Sequence, residues 1–341
     1  MHESYSPAKG SLSSRGPSPP SRILHPEVAL AAATVYRSLL VPLDGSSFAE
    51  QALTFAIEIA QAAQASVRLA LVHQAPPHHG RDPEEHATQT LLALRKGERS
   101  YLKAVAARVQ ELTGTRVTAV TLKGTVASAL RDHIDRTSVD LVVMTTHGRG
   151  GLERAWVGSV ADALVRTVSV PMFLVRPAEG TPAAAGFKVF RILIPLDGST
   201  LSEQIIPPAV ALARLLGAEL SLVRLVEPID FPPEVGENDS RVTALMQDQA
   251  TDYLDSLAGT LRSEGLRVTT TIPVAPSVAS GLLDLARDPG VGMIALATHG
   301  RGGLRRALLG SVADKIIRGA QVPVLVYRPK SAPKRSPDTD T

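Results

Sequence analysis

Two nearly identical Gly-rich stretches contain the residues of this chain best suited to bind a charged ligand. The sequence reads THGRGGLERAWVGSVAD over residues 146–162 and THGRGGLRRALLGSVAD over residues 298–314. In each stretch a Gly-Ser-Val tripeptide begins a segment with helical spacing. Free N–H groups at a helix N-terminus, together with the helix dipole, attract phosphate, and glycine lets the backbone approach a ligand closely. The two stretches therefore predict two phosphate sites.

Side chains in these stretches could add to each phosphate site. Ser159 and Ser311 supply hydroxyl groups, and Arg149 and Arg301 could reach a terminal phosphate. A structural role is the alternative, because Ser159 and Asp162 have nearly the pattern of a capping box and Gly-rich segments also form ordinary turns. The repetition of the same spacing in both halves favours a ligand-binding role over a purely structural one.

A carboxylate follows the first apolar run of each half. Val-Pro-Leu-Asp-Gly-Ser places Asp44 there, and Ile-Pro-Leu-Asp-Gly-Ser places Asp197. Each carboxylate could accept hydrogen bonds from an adenine amino group or from ribose hydroxyls, or it could start a turn and cap the next helix. Ser47 and Glu50 have capping-box spacing, and the second half repeats it. Capping is therefore expected of these pairs, which leaves the aspartates available to a ligand.

Other chemistries find little support in the residues. The chain has no Cys, which excludes a disulfide scaffold, a thiolate nucleophile and a Cys-ligated metal site. It has no GxxxxGKS or GxxxxGKT sequence and hence no P-loop lysine. His147 and His299 have no identifiable nucleophile or carboxylate partner, so acid–base catalysis is not expected of them. The residues predict a binding protein rather than an enzyme, with no metal site.

The composition is that of a globular protein without a strong charge bias. The 341 residues are 44% hydrophobic and 20% charged, with a net charge of +3, so a nucleic-acid partner is not expected. No apolar run reaches the roughly 18 residues of a membrane span, and the N-terminus lacks the apolar core of a signal peptide. We therefore expect a cytoplasmic protein with no membrane partner.

The chain is an internal repeat. Asp197 follows Asp44 at an offset of 153 residues, and Gly310 follows Gly158 at an offset of 152. Residues 146–177 and 298–329 are identical at 19 of 32 positions. Two domains of ordinary size follow from this repeat. The predicted organisation is a disordered Ser/Pro-rich tail (1–34), a first domain (35–177), a linker (178–188), a second domain (189–329) and a disordered tail (330–341).

Short apolar runs alternate with segments of helical spacing in both halves. In the first half, strands are predicted at 38–43, 67–72, 116–122, 140–146 and 170–176, with helices between them. This alternation predicts an α/β fold with a mostly parallel, doubly wound sheet. Such sheets bind ligands at the carboxyl ends of their strands, where the strand order reverses. The two aspartates and the two Gly-rich stretches all lie at predicted strand ends.

These motifs resemble those of tandem universal stress proteins. The family pattern is Gly, two residues, Gly, nine residues and then Gly-Ser or Gly-Thr; Gly148 with Gly158-Ser159, and Gly300 with Gly310-Ser311, match its second part. The resemblance runs from about residue 36 to 329. It implies two Rossmann-like domains of the adenine nucleotide alpha hydrolase type, each with a five-stranded, mostly parallel sheet between helices. It also implies ATP as the ligand, with or without Mg²⁺, and a sensor or regulator of the stress response as the function.

The resemblance also implies which residues contact the ligand. The aspartate and the end of strand two are expected around adenine and ribose, and the Gly-rich motif around the phosphates. The expected contacts are Pro42, Asp44, Val72, Thr145, Gly148, Arg149, Gly158, Ser159 and Val160 in the first half, and Pro195, Asp197, Leu225, Ala297, Gly300, Arg301, Gly310, Ser311 and Val312 in the second.

Two departures from the family pattern affect these sites. The first glycine of the motif is replaced by Thr145 in the first half and by Ala297 in the second, and Thr is the more intrusive because it is branched. Gly124 of the first half corresponds to Pro276 in the second. ATP binding is expected in both halves, with the second slightly favoured. There are three alternatives to ATP binding in both halves. One site could be lost, the protein could be an interaction scaffold that binds no nucleotide, or it could hydrolyse ATP slowly.

The fifth strand of each half bears on assembly. In the family this strand typically pairs two domains, and here VPMFLV and VPVLVY are almost wholly apolar, which fits a covered strand. We expect the two fifth strands to pair within one chain as a pseudo-dimer. Further association into a homo-oligomer is left open.

Overall fold

Strands alternate with helices through both halves of the chain. The computed structural model describes residues 36–74, 84–147, 157–177, 189–228, 238–298 and 309–329; the predicted tails and linker lie outside them. The elements of the first half are β1 (Ser38–Leu43), α1 (Ser47–Ala63), β2 (Ser66–His73), α2 (Glu84–Thr113), β3 (Val117–Lys123), α3 (Val126–Arg136), β4 (Leu141–Thr145), α4 (Ser159–Thr167) and β5 (Met172–Val175). Those of the second half are β6 (Arg191–Pro195), α5 (Thr200–Glu203), α6 (Ile206–Leu216), β7 (Glu219–Val223), α7 (Asn238–Ser263), β8 (Val268–Thr271), α8 (Val278–Leu285), β9 (Val291–Ala297), α9 (Ser311–Gly319) and β10 (Val324–Tyr327).

All ten of these strands form one sheet, in the order β3-β2-β1-β4-β5-β10-β9-β6-β7-β8. Pairing is parallel within each half, and β5 pairs antiparallel with β10, with Phe173 opposite Leu325. The predicted α/β fold with mostly parallel, Rossmann-like halves is therefore confirmed. In the first half the strand order reverses between β1 and β4, which is the switch point where such sheets bind ligands.

Helices cover both faces of the sheet. Successive side chains of a strand point to opposite faces: Leu39 and Val41 lie in a core layer with residues of α1 and α2, whereas Leu40 lies with Leu130 and Leu164 of α3 and α4. All residues of β4 and β5 are buried. Burial on both faces explains why these strands are continuous apolar runs rather than alternating ones.

The two halves also meet beside the sheet, through helices. Helix α1 contacts α6, and the buried hydroxyl of Tyr36 donates a hydrogen bond to the carbonyl of Pro208 in α6 at 2.9 Å. Burial, with a smaller effect from the carboxylate of Asp140, raises the pKa of this hydroxyl, which stays a donor. The second half has two helices, α5 and α6, in place of the continuous α1. Pro207 and Pro208, at the start of α6, lack the N–H donors of a helix interior.

The Tyr36 hydroxyl yields a test of the contact between the halves. Replacing Tyr36 with Phe removes one buried hydrogen bond and leaves the Pro208 carbonyl without it, so the free energy of unfolding should fall by about 1 kcal/mol. Urea unfolding followed by circular dichroism measures the change. Tyr327→Phe is the matched control, because no hydrogen bond of that half-buried hydroxyl is recorded among the described residues. Equal stability losses in the two variants would contradict the assignment.

Candidate functional site

A cavity of about 510 Å³ lies at the carboxyl ends of β1, β2 and β4 in the first half. Its position is the switch point of the strand order, and its volume falls within the range of small-molecule sites. The lining residues are Pro42, Leu43, Asp44, Ala49, Ala70, Leu71, Val72, Gln74, Glu98, Val126, Leu130, Met144, Thr145, Thr146, His147, Gly158, Ser159, Val160 and Ala161.

The start of α4 forms one end of the cavity. Gly158 is the N-cap, its backbone N–H donates to the carbonyl of Thr146, and no side chain caps the helix. The capping-box interpretation is wrong here, because Ser159 is the first helical residue and Asp162 instead accepts a bond of 2.8 Å from Arg166. The N-terminal backbone groups of α4 therefore face the cavity without a side-chain cap, which suits an anion.

Gly158 is required by close packing rather than by an unusual backbone angle. A Cβ atom at this position would lie 2.8 Å from the carbonyl oxygen of Thr146, and its φ of −62° is open to any residue. The glycine thus lets the start of α4 sit directly on the end of β4. This contact sets the position of the helix terminus relative to Thr145 and Thr146.

Asp44 stands at the other end of the cavity, just past β1. Its Oδ1 accepts hydrogen bonds from the backbone N–H of Ser46 at 2.9 Å and from the Ser46 hydroxyl at 2.6 Å. Ser46 in turn caps α1 by accepting from the N–H of Ala49. The prediction that Ser47 caps this helix is wrong, because Ser46 is the N-cap and Asp44 orders the turn before it. Asp44 does so while lining the cavity.

Glu50, the expected capping-box partner, has another role. It accepts a hydrogen bond from the hydroxyl of Tyr101 at 2.9 Å and pairs with Arg108 at 2.6 Å. Burial, reinforced by Glu50, raises the pKa of the Tyr101 hydroxyl. The carboxylate therefore joins α1 to α2 beside the cavity instead of capping α1.

The second half repeats the turn geometry. Ser199, not Thr200, caps α5, and its N–H donates to Asp197 Oδ1 at 2.9 Å. Burial raises the pKa of Asp197, but hydrogen bonds from Ser199 and Ser202 outweigh it, so that its pKa lies below the usual value. Glu203 again accepts from a tyrosine, Tyr253, at 2.9 Å.

An apolar middle section joins the two ends of the cavity. Val72, Leu130 and Met144 line it. Thr145, the branched replacement of a family glycine, also lies on the wall, and its hydroxyl donates to the carbonyl of His147 at 2.6 Å. The cavity therefore coexists with Thr145.

The structure brings together seven of the predicted contacts in the first half. Pro42, Asp44, Val72, Thr145, Gly158, Ser159 and Val160 all line the cavity. Gly148, Arg149, Gly300 and Arg301 lie outside the described residues. In the second half Pro195 ends β6, Ala297 ends β9, Asp197 and Leu225 follow strand ends, and Gly310 is the N-cap of α9 before Ser311 and Val312.

Sequence reasoning missed Glu98 and Gln74, two polar residues of the lining. Glu98 lies on the long, largely polar helix α2, and its carboxylate is 2.8 Å from Nδ1 of His73. No motif marked it, because a glutamate on a polar helix resembles any solvated side chain. Only the packing of α2 across the end of β2 brings it to the cavity.

Comparison with known proteins places this architecture in a family. A sequence model of the universal stress protein family matches residues 35–176 and again residues 188–328. The chain belongs to the universal stress protein family. The tandem arrangement inferred from the repeat is thereby confirmed.

Two universal stress proteins of Mycobacterium tuberculosis are among the similar sequences. One is 29% identical over 192 residues, which is 55% of this chain and 62% of that protein, less than two thirds of its length. The other is 27% identical over 309 residues, covering 85% of this chain and 94% of the relative. The crystal structure of a universal stress protein from Archaeoglobus fulgidus has a TM-score of 0.63 at 16% identity, over 87% of this chain and 99% of that one. This likeness supports the fold.

The close contact at Gly158 provides a second test. Gly158→Ala should push α4 away from β4 and lower the free energy of unfolding by roughly 1–3 kcal/mol, the usual cost of overpacking. Gly97→Ala in α2 is the control: its Cβ meets nothing within 4 Å, and alanine is favoured in helices by about 0.5–1 kcal/mol. Urea unfolding of both variants measures the contrast. Equal effects would show that Gly158 is not sterically required.

Proposed function

We propose that this universal stress protein binds ATP in the cavity of its first half and acts as a nucleotide-dependent regulator. Membership of the family supports a role in the stress response. The observation that carries the nucleotide proposal is one continuous cavity running from the carboxylate of Asp44 to the uncapped start of α4. The cavity has a polar end, an apolar wall and an anion site. A nucleoside phosphate needs all three.

The parts of ATP can be assigned to the parts of the cavity. The phosphates lie at the N-terminus of α4, with the N–H groups of Ser159 and Val160 as donors. The base and ribose lie between Pro42, Asp44 and Val72. Mg²⁺ enters with the phosphates, since the described residues contain no group of three or more His, Asp or Glu side chains placed to hold a metal.

Binding rather than turnover is the proposed activity. The chain has no P-loop lysine, so phosphate is held here by helix N–H groups, which stabilise an anion without activating a nucleophile. In this proposal the protein is cytoplasmic, and the binding of ATP changes which partners it contacts. None of the described helices has the length and hydropathy of a membrane span.

The two halves act as one unit in this proposal. The antiparallel pairing of β5 with β10 and the Tyr36–Pro208 hydrogen bond support a pseudo-dimer that persists in solution. Each half then carries one candidate site at the carboxyl edge of its own strands. The second site is proposed around Asp197 and Gly310, at the corresponding strand and helix ends.

Calorimetry with nucleotide-stripped protein tests ATP binding. The parent chain should release heat on titration with Mg-ATP, and Gly158→Ala should lose the first-half site while Gly97→Ala retains it. Val72→Trp adds bulk to the cavity wall at the end of β2 and should also abolish that site. Circular dichroism establishes that each variant is folded. No heat with millimolar ATP, and no nucleotide extracted from the protein as isolated, would refute the proposal.

A further inference from the structure

The cavity of the first half reaches across the end of the sheet. Val72, Leu130 and Met144 on its wall belong to the core layer of α3 and α4, whereas Leu43 and Leu71 belong to the layer of α1 and α2. The cavity therefore has a part that lies against α1 and α2. We call it the Glu98 lobe, lined by Leu43, Ala49, Leu71 and Glu98.

A carboxylate is held in place beside the apolar side chains of this lobe. Nδ1 of His73 lies 2.8 Å from Oε2 of Glu98 and is the donor, because an ionised carboxylate only accepts hydrogen bonds. The side chains of His73 and Glu98 are 6% and 19% exposed. His73 is the only hydrogen-bond partner of Glu98 recorded among the described residues, so acceptor capacity remains on the carboxylate. Such a group is fixed in orientation before any ligand arrives.

The second half lacks both members of this pair. The pairing of Ser38 with Ser66 and of Arg191 with Glu219 makes Val226 the counterpart of His73. The hydrogen bonds of Tyr101 to Glu50 and of Tyr253 to Glu203 are likewise equivalent, which makes Ala250 the counterpart of Glu98. His73 and Glu98 are thus present together in one half and absent together in the other, as expected of residues that act as a pair.

A cation occupies the corresponding region of the second half. Arg224, the counterpart of Leu71, places its guanidinium 5.4 Å from the ring centre of Tyr253. Its Nη1 would lie 3.0 Å from a Cβ at Gly198, next to Asp197. The region beside the strand ends therefore holds the Glu98 carboxylate in the first half and the Arg224 guanidinium in the second. A carboxylate accepts hydrogen bonds and a guanidinium only donates them, so the two side chains select different ligand groups.

We propose that Glu98, oriented by His73, is a specificity-determining residue of the first-half site that accepts a hydrogen bond from the bound nucleotide. This inference rests on the proposed ATP site. The ligand group is a neutral donor, either a ribose hydroxyl or the exocyclic amino group of adenine. A nucleotide that lacks the donor leaves the carboxylate desolvated and unpaired, and sites of this kind reject such analogues strongly. The second half does not make this selection.

The experiment measures the dissociation constants of ATP, ITP, 2′-deoxy-ATP and 3′-deoxy-ATP with the full chain. ITP replaces the amino group with a carbonyl, and each deoxy analogue removes one hydroxyl, so the analogue that binds weakly identifies the donor. The parent should discriminate against one of them by about tenfold or more at its tighter site. Glu98→Gln should abolish that discrimination, because the amide oxygen accepts from His73 and the amide N–H₂ then faces the ligand as a donor.

Two further variants control the experiment. Glu111→Gln changes an exposed glutamate of the same helix and should leave the discrimination as in the parent. The double variant His73→Val with Glu98→Ala reproduces the residues of the second half, so it should fold and bind ATP without the preference. Thermal unfolding verifies that each variant is folded.

The outcomes separate this proposal from the ATP proposal. ATP binding with the same analogue preference in the parent and in Glu98→Gln would overturn the role of Glu98 and leave the ATP site standing. A parent that binds all four nucleotides equally would do the same. A parent that binds no ATP would overturn both.

Discussion

The antiparallel ladder between β5 and β10 is the interaction on which the rest of this structure depends. Without it, each half would expose an apolar strand at the edge of a five-stranded sheet, with unpaired N–H and C=O groups. With it, the ten strands share one sheet and both strands lie in its buried centre. The same pairing brings α1 against α6, where Tyr36 binds Pro208. Each switch point is thereby fixed relative to the other.

The candidate site follows from the ends of parallel strands. β1, β2 and β4 all deliver their carboxyl ends to one edge, and the reversal of strand order separates the loops there, which leaves space for a ligand. Gly158 lets α4 start directly against β4, while Asp44 and Ser46 set the start of α1. The cavity is thus bounded by the starts of two helices. No side chain caps α4, whereas Ser46 caps α1.

The two halves share a fold but differ in the chemistry beside the strand ends. Tyr101 with Glu50 and Tyr253 with Glu203 are equivalent pairs, and both keep the same distance. Each pair also meets a cation: Arg108 of α2 pairs with Glu50 in the first half, and Arg224, which follows β7, lies 5.4 Å from the ring centre of Tyr253 in the second. The two halves therefore share the strand-end motifs and the tyrosine–glutamate pair but differ in the charged side chains beside them.

The sequence by itself determined the tandem α/β architecture, the order of strands and helices along the chain, and seven residues of the first-half lining. Strand cores and Gly-Ser-Val helix starts are local patterns, and local patterns persist in the fold; β1 has the predicted bounds. The caps shifted by one residue, to Ser46 and Ser199, because Asp44 and Asp197 draw those serines into the turn. Glu98 could not be found in the sequence. Its place at the cavity depends on how α2 packs over β2. No local pattern in the sequence marks that contact, so only the tertiary structure decides it.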